Sequence, residues 1–188
     1  MIRNNLILMN IHVLGGGLLA RFIIEIIEST SGMNIAGIYD DGYPVRKKVL
    51  GYKILGKIDH LDYTKPLNLA VGIGEPKIRK KFIGGEHFKG CTFPSLVHKT
   101  ALVSEYSQIG KGVIIGPFTS VLNGSRIGHG CCILSHSNIN QDVIMEDFCL
   151  VGAGTLIGNG VHIGEGCHLG LGSKIHLNRK LEAWTHHE

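Results

Sequence analysis

Between Ile133 and Leu150 the chain runs for eighteen residues without a glycine and carries His136, Asn138, Asn140, Gln141, Asp142, Glu146 and Asp147. Of these only His136 is of a residue type suited to proton transfer near neutral pH, so it is the group that could take a proton from an attacking hydroxyl or amine. Asp142 could orient a partner. Gln141 has no titratable group in this range and cannot act as a base. A second set of candidates lies near the N-terminus, where Gly15-Gly-Gly17-Leu-Leu-Ala20 follows an apolar run and precedes Arg21-Phe-Ile-Ile-Glu-Ile-Ile-Glu28. Strand, glycine turn and amphipathic helix in this order fit G-x-G-x-x-A, which lets backbone approach a phosphate at a helix N-terminus. A next strand, Asn34 to Tyr39, ends in Asp40-Asp41, about 23 residues after the second glycine of that motif, where a carboxylate can accept from a ribose or a base.

The elements that must hold these groups are legible in a period of six. From Val97 an aliphatic residue recurs at Val103, Ile109, Ile115, Val121, Ile127, Ile133, Ile139, Met145, Val151, Ile157, Ile163, Leu169 and Ile175. Four residues after each, from Ala101 through Ser125, Cys131, Ser137, Cys149, Thr155 and Cys167 to Ser173, stands a small or β-branched residue. One large and one small inward residue per six, with identical positions stacked every eighteen, predicts a three-sided parallel β-helix of between four and five coils, roughly 22 Å tall at about 4.8 Å per layer. After Ile175 the pattern is interrupted by Arg179, and residues 179–188 read as an irregular tail.

Ahead of the hexads, Asn5 to Leu14 reads as a buried strand and not a signal peptide, Leu67 to Gly74 as another, and Lys77 to Lys81 opens a helix. Residues 1–90 therefore read as a short Rossmann-like βαβ domain with its own core, and 91–178 as the β-helix. The βαβ unit is too short for a full dinucleotide site, so a mononucleotide or nucleotide sugar suits it better than a nicotinamide cofactor. The fold class is α/β plus β.

A net charge of +4 with acids and bases mixed gives no nucleic-acid stripe, and no run reaches membrane-spanning length. A cytoplasmic protein without membrane insertion is expected. Five cysteines without C-x-x-C spacing, three of them (Cys131, Cys149, Cys167) eighteen apart in the small inward slot, predict a column of reduced core thiols. The histidine spacings His129 to His136, His136 to His162 and His162 to His168 contain no H-x₄-H, so no metal site is expected.

The hexads, the glycine turn, Asp40-Asp41, Ile73-Gly-Glu-Pro-Lys-Ile-Arg79 and His98-Lys-Thr-Ala101 together resemble the bacterial sugar acetyltransferases of the sialic acid O-acetyltransferase and UDP-amino-sugar N-acetyltransferase type, over nearly the whole chain. That resemblance implies a left-handed β-helix, a homotrimer, acetyl-CoA as co-substrate laid along the β-helix between subunits, and a nucleotide sugar in the N-terminal domain. It implies that Gly17, Leu18, Leu19, Asp40, Asp41 and Gly74 line the nucleotide-sugar site and that Leu150, Gly152 and Leu171 contact CoA. Leu18 and Leu19 stand where glycine and histidine are usual, and Leu134 where asparagine is usual. Similar enzymes place a catalytic His-acid pair where this chain has Gln141-Asp142, and run on through further coils to a tail over the cofactor; either this sequence is a piece of a longer chain or those coils are absent. Three readings stay open: acyl transfer with His136 as base brought in by a neighbouring subunit, transfer by proximity to an amine that arrives deprotonated, or a catalytically inactive trimer that binds nucleotide sugar or CoA.

Overall fold

The computed structural model describes residues 8–188; residues 5–7 of the expected first strand lie outside the described residues. Strands β1 (Met9–Leu14), β2 (Met33–Tyr39), β3 (Lys48–Val49), β4 (Tyr52–Gly56) and β5 (Asn68–Val71) form one sheet in the order β3-β4-β2-β1-β5. β1 lies parallel between β2 and β5, and only the β3–β4 pair is antiparallel. Helix α1 (Leu18–Ser29) buries Leu19, Ala20, Ile23, Ile24, Ile26 and Ile27 and turns Arg21, Glu25 and Glu28 outward, the stripe that a 3.6-residue period dictates. Helix α2 (Pro76–Ile83) starts on a Glu75 cap with Pro76 in its first turn and ends at Gly84.

From β6 (Leu96–Val97) to β21 (His186–His187) a two-residue strand recurs every six residues, and the strands stack into three parallel sheets of five, five and six strands among the described residues. Partners are eighteen apart, as in Ser120 with Asn138 and Cys132 with Leu150. The expected inward set is the core: Ile115, Val121, Ile127, Ile133, Ile139, Met145, Val151, Ile157, Ile163, Leu169 and Ile175 are all buried. Small polar residues are tolerated inside because their hydroxyls find carbonyls. Ser125 Oγ donates to Asn140 O at 2.7 Å and Ser137 Oγ to Gly152 O at 3.0 Å. Cys131, Cys149 and Cys167 form the buried column of free thiols, bonded to Glu146 O, Gly164 O and Glu182 O. Thiol-to-thiol hydrogen bonding, with burial added, holds Cys149 and Cys167 well above the ordinary thiol range, so neither is a nucleophile at neutral pH.

The coil does not stop at Ile175. Lys180–Leu181 pairs with His162–Ile163, and His186–His187 with His168–Leu169, so the segment 179–188 is ordered β-helix and not an irregular tail. Leu181 packs against the core in the same phase as Ile175, and Thr185 occupies the small slot. Arg179 breaks the small-residue pattern and is exposed, yet the ladder runs through it, with His162 N donating to Arg179 O at 2.9 Å.

The N-terminal part keeps a small buried cluster of its own, Leu14, Leu61, Leu69 and Val71 with Phe93, and shares a larger one with the β-helix. Ile114, Cys132 and Leu96, on the outer face of the β6-containing sheet, join α1 and the βαβ sheet in one buried cluster. α1 is thus clamped between two sheets.

Candidate active site

The turn after β1 is shaped by contacts that need little side chain. Gly15 sits at φ +99°, a conformation open to glycine, and Gly72 lets the Ala20 backbone and methyl approach so closely that an added Cβ would lie 2.7 Å from Ala20 Cβ. Gly17 caps α1 with no side-chain hydrogen bond, and no acid stands in the first turn. The first N–H groups of the helix therefore face outward with the positive end of its dipole, a site suited to an anion.

Asp40 fixes this turn. It is buried and accepts from Gly16 N at 2.7 Å, Gly42 N at 3.0 Å and Arg46 Nη1 at 3.2 Å. Its oxygens are thus occupied by the protein, and the half-exposed Arg46 is the cation it presents beside the helix terminus. Asp41 is exposed and accepts from Ile58 N at 3.0 Å through Oδ1. On the other side, Arg79 is fully buried and grips Gly74 O, while Nε donates to Gly130 O at 2.9 Å and Nη2 to Phe148 O at 3.0 Å and Cys149 O at 3.3 Å. It ties α2 and the Gly74 loop to one corner of the β-helix. Burial lowers its pKa, yet a guanidinium remains charged at any working pH.

Between these walls lies a cavity of about 720 Å³. The glycine turn, Leu18, Leu19, Asp40, Asp41, Arg46 and Gly74 line it from the α/β side, and Leu134, Ser135, Leu150 and Ala153 from the β-helix side. The six residues expected around a nucleotide sugar are therefore brought together. Leu150, expected at the cofactor, lines this same cavity. Gly152 and Leu171 lie outside it: Gly152 sits under the Gly170–Leu171 backbone, and Leu171 projects into solvent, 84 % exposed.

The glycine-free coil turns its corners at a cost. His136, Asp142 and Phe148 adopt φ of 59°, 58° and 61°, where the coils above have Gly154, Gly160 and Gly166. Left-handed backbone at a non-glycine residue costs roughly 1–2 kcal/mol. His136 is exposed, stacks on Phe118 with centroids 5.0 Å apart, and follows Ser135 at the lip of the cavity. Gln141 and Asp142 occupy the next corner, beyond the strand Asn138–Ile139, and among the described residues no hydrogen bond joins them to His136. Within one chain the three candidates are not one cluster. Among the described residues no group of three or more His, Cys, Asp or Glu could hold a metal ion, and no helix is long and apolar enough to cross a membrane.

Arg46, Ile58, Phe22 and Ser135 are site residues that the motifs did not single out. Arg79 carried a signal: in a lysine-rich helix it falls three residues after Pro76 and four before Ile83, on the inward stripe.

Residues 10–84 match the family model of the PglD N-terminal domain, and residues 91–183 that of the GMPPB C-terminal domain. The chain is 27 % identical over 173 residues to GDP-perosamine N-acetyltransferase of Escherichia coli O157:H7, across 79 % of this chain and 78 % of that one. A histidine-to-asparagine mutant of perosamine N-acetyltransferase from Caulobacter crescentus, solved with CoA and GDP-perosamine, superposes with a TM-score of 0.86 at 26 % identity, covering 94 % of this chain and 84 % of that one. The acetyltransferase domain of PglB from Neisseria gonorrhoeae in complex with acetyl coenzyme A, at 20 % identity and a TM-score of 0.70 over 93 % and 96 % of the two chains, shares the fold. The domain models, the relatives and the fold all fit the bacterial hexapeptide-repeat sugar acetyltransferases, a short Rossmann-like domain followed by a left-handed β-helix. Within that class, the relatives that match it across most of both chains at 26–27 % identity are perosamine N-acetyltransferases.

Proposed function

We propose that the protein transfers an acetyl group from acetyl-CoA to the amine of a nucleoside-diphosphate-linked amino sugar, in the cytoplasm, as a step of surface-glycan biosynthesis. The observation that carries this reading is the 720 Å³ cavity itself, which joins an anion-binding helix terminus to the outer wall of the glycine-free coil. The diphosphate meets the first turn of α1 and Arg46, and the sugar reaches toward Leu134, Ser135 and Leu150. The amine nitrogen attacks the thioester carbonyl carbon; the C–N bond forms, the C–S bond breaks, and the CoA thiolate leaves and takes up the proton that the amine gives up. His136, at the cavity lip, carries that proton, and Gln141 and Asp142 approach from the neighbouring copy.

A homotrimer is supported by the exposed apolar residues Leu102 and Leu156 on one sheet, with Phe118 and Leu171 at one flanking corner and Tyr106 and Leu177 at the other. CoA then runs past Gly152 and Leu171 between copies. A second reading, a binding trimer without turnover, is favoured by one observation: the corner where similar enzymes carry the base histidine holds Gln141.

Calorimetric titration with acetyl-CoA and with nucleotide amino sugars, followed by a thiol-release assay, separates the two. Thiol release that drops about 10²- to 10⁴-fold in His136→Ala supports general-base transfer. Binding of the sugar with no binding of acetyl-CoA overturns it in favour of the silent trimer.

A further inference from the structure

We infer that the β3–β4 hairpin at the edge of the N-terminal sheet docks the protein on an anionic lipid surface. Arg46, Lys47, Lys48 and Lys53 meet the phosphate headgroups, and Val45 and Leu50 enter among them. The inference does not depend on acyl transfer.

Residues 42–58 carry Arg46, Lys47, Lys48, Lys53 and Lys57 and no acid, whereas acids slightly outnumber bases in the rest of the chain. The net positive charge is therefore concentrated in this one stretch. Lys57 shares a groove with Asp41 and Asp59 and lies apart from the surface. The other four side chains are exposed. The acids that reach the hairpin are taken: Asp40 pairs with Arg46 at 3.2 Å, and Glu28 accepts from the Tyr52 hydroxyl at 2.9 Å. Among the described residues Lys47, Lys48 and Lys53 have no ion pair.

Two features of the hairpin cost stability in water. Lys48 stands directly opposite Lys53 in the antiparallel register, where like charges repel. The turn between the strands runs through Leu50 at φ +46° and Gly51 at φ +87°, and a leucine in left-handed backbone is strained. Its side chain gains little burial in return. Leu50 is 43 % exposed, and Val45, just ahead of β3, is 94 % exposed. Lysines alone would do no more than guard an open strand edge against pairing. Apolar tips beside those lysines work against such a guard. An anionic bilayer answers both features, because headgroup phosphates relieve the lysine pair and the interface accepts the apolar tips. A nucleic acid would relieve the charge only. It needs exposed rings for its bases, and Tyr43 and Tyr52, the aromatic residues of the stretch, pack instead against the core that holds α1. A groove of about 380 Å³, lined by Arg21, Arg46, Lys48 and Leu50, leads from the hairpin to Gly17 at the main cavity. Docking on the hairpin therefore sets the cavity beside the lipid.

The test is sedimentation of the full chain with vesicles of phosphatidylglycerol and phosphatidylcholine in equal amounts, against vesicles of phosphatidylcholine alone. The chain is expected to sediment with the anionic vesicles only, and to be released as added salt screens the charges. A cation beside such a surface strengthens binding about fivefold, so Lys47→Gln, Lys48→Gln and Lys53→Gln combined should weaken it about 100-fold. Val45→Ser with Leu50→Gly should weaken it about tenfold and leave the salt dependence unchanged. That pair also relieves the left-handed leucine, so its Tm should not fall, which separates lost docking from lost folding. Sedimentation with both kinds of vesicle alike, or with neither, overturns the inference, as does a triple lysine variant that binds like the parent. A single-stranded oligonucleotide bound as tightly as the anionic vesicles overturns the lipid assignment in favour of a general polyanion surface. None of the substituted side chains lines the 720 Å³ cavity, so acetyl-CoA and nucleotide-sugar binding in calorimetry should be unchanged whichever way the vesicle result falls.

Discussion

Replacing Arg79 with methionine keeps the length of the side chain and removes its donors. The side chain is buried completely, and its charge is met by backbone carbonyls: Gly130 O at 2.9 Å, Phe148 O at 3.0 Å and Cys149 O at 3.3 Å on the β-helix, and Gly74 O on the loop before α2. A stranded buried acceptor costs about 1–3 kcal/mol, and a charge-assisted bond is worth about 1.5–3 kcal/mol net. The desolvation of the guanidinium, which the methionine variant recovers, offsets part of the gross loss. With the acceptors at Gly130 and Phe148 stranded, Cys149 O still accepting from Cys132 N at 2.8 Å and Gly74 O only part-buried, the expected destabilisation is about 4 kcal/mol, or about 8–16 °C in Tm for a chain of this size. The assay is built into the fold. Trp184 is the single tryptophan, and Lys77 and Lys80 of α2 hold their ammonium groups 5.6 and 5.8 Å from its ring centroid. Urea unfolding followed by circular dichroism reports the total loss, and Trp184 emission reports the detachment of α2. Arg79→Lys should recover less than half, because one ammonium cannot span Gly74 and Phe148 together. A loss below about 1 kcal/mol with unchanged Trp184 emission would refute the view that this arginine fastens the two parts of the chain.

Three further outcomes are expected. Asp40→Ala frees Gly16 N–H and the Arg46 guanidinium, and should weaken nucleoside diphosphate binding by about 2 kcal/mol, roughly 30-fold, in calorimetry, with the circular dichroism spectrum retained. Gly152→Ala places a methyl 2.6 Å from the Gly170 backbone, and should cost about 1–3 kcal/mol in urea unfolding. Acidification should destabilise the fold: burial first, and then the charges of His186 and Arg79, hold the pKa of His168 below its ordinary value of 6.5, and burial does the same for His12. Below 6.5 the unfolded chain binds more protons than the folded one, so these contributions are full above that value and fade as pH falls through the folded pKa. Thermal melts at pH 5.5 and 7.5 should differ less in His168→Asn than in the parent; an equal difference would exclude His168 as a source.

The β-helix was legible because its period is strict and its inward residues are chosen by size alone, so Ile115 through Ile175 are read correctly from spacing. The tail was misread at Arg179. One large residue in a small slot does not end the ladder, and Leu181 and Thr185 kept the phase beyond it. The glycine turn and Asp40-Asp41 were found from motif spacing, but Asp40 turned out to spend its oxygens on Gly16, Gly42 and Arg46. No local pattern announces that kind of occupancy, because the partners converge from separate loops. The same reason hid Ser135 and Leu150 as walls of one cavity with Gly17: their meeting depends on α1 docking against Leu96, Ile114 and Cys132, a contact between segments far apart in the chain. His136 and Gln141 are close in sequence and stand at different corners, because five residues of β-helix carry the chain around most of one face.

The β-helix wall of the cavity obeys a counting rule. Leu134 and Ser135 belong to one rung, Leu150 and Ala153 to the region of the next, and Cys132 aligns with Leu150 because eighteen residues complete a circuit. An insertion of eighteen residues below the site would lift everything after it by about 4.8 Å and preserve which side it faces. An insertion of six would carry Leu150 to a different side of the prism, away from the glycine turn. Lengthening or shortening by a number that is not a multiple of six breaks the alternation of large and small inward residues before it reaches the pocket. Change in ligand size on this scaffold is therefore quantised: the ceiling of the cavity can be reset by whole circuits, while its floor, built on α1 and the Gly74 loop, can vary residue by residue.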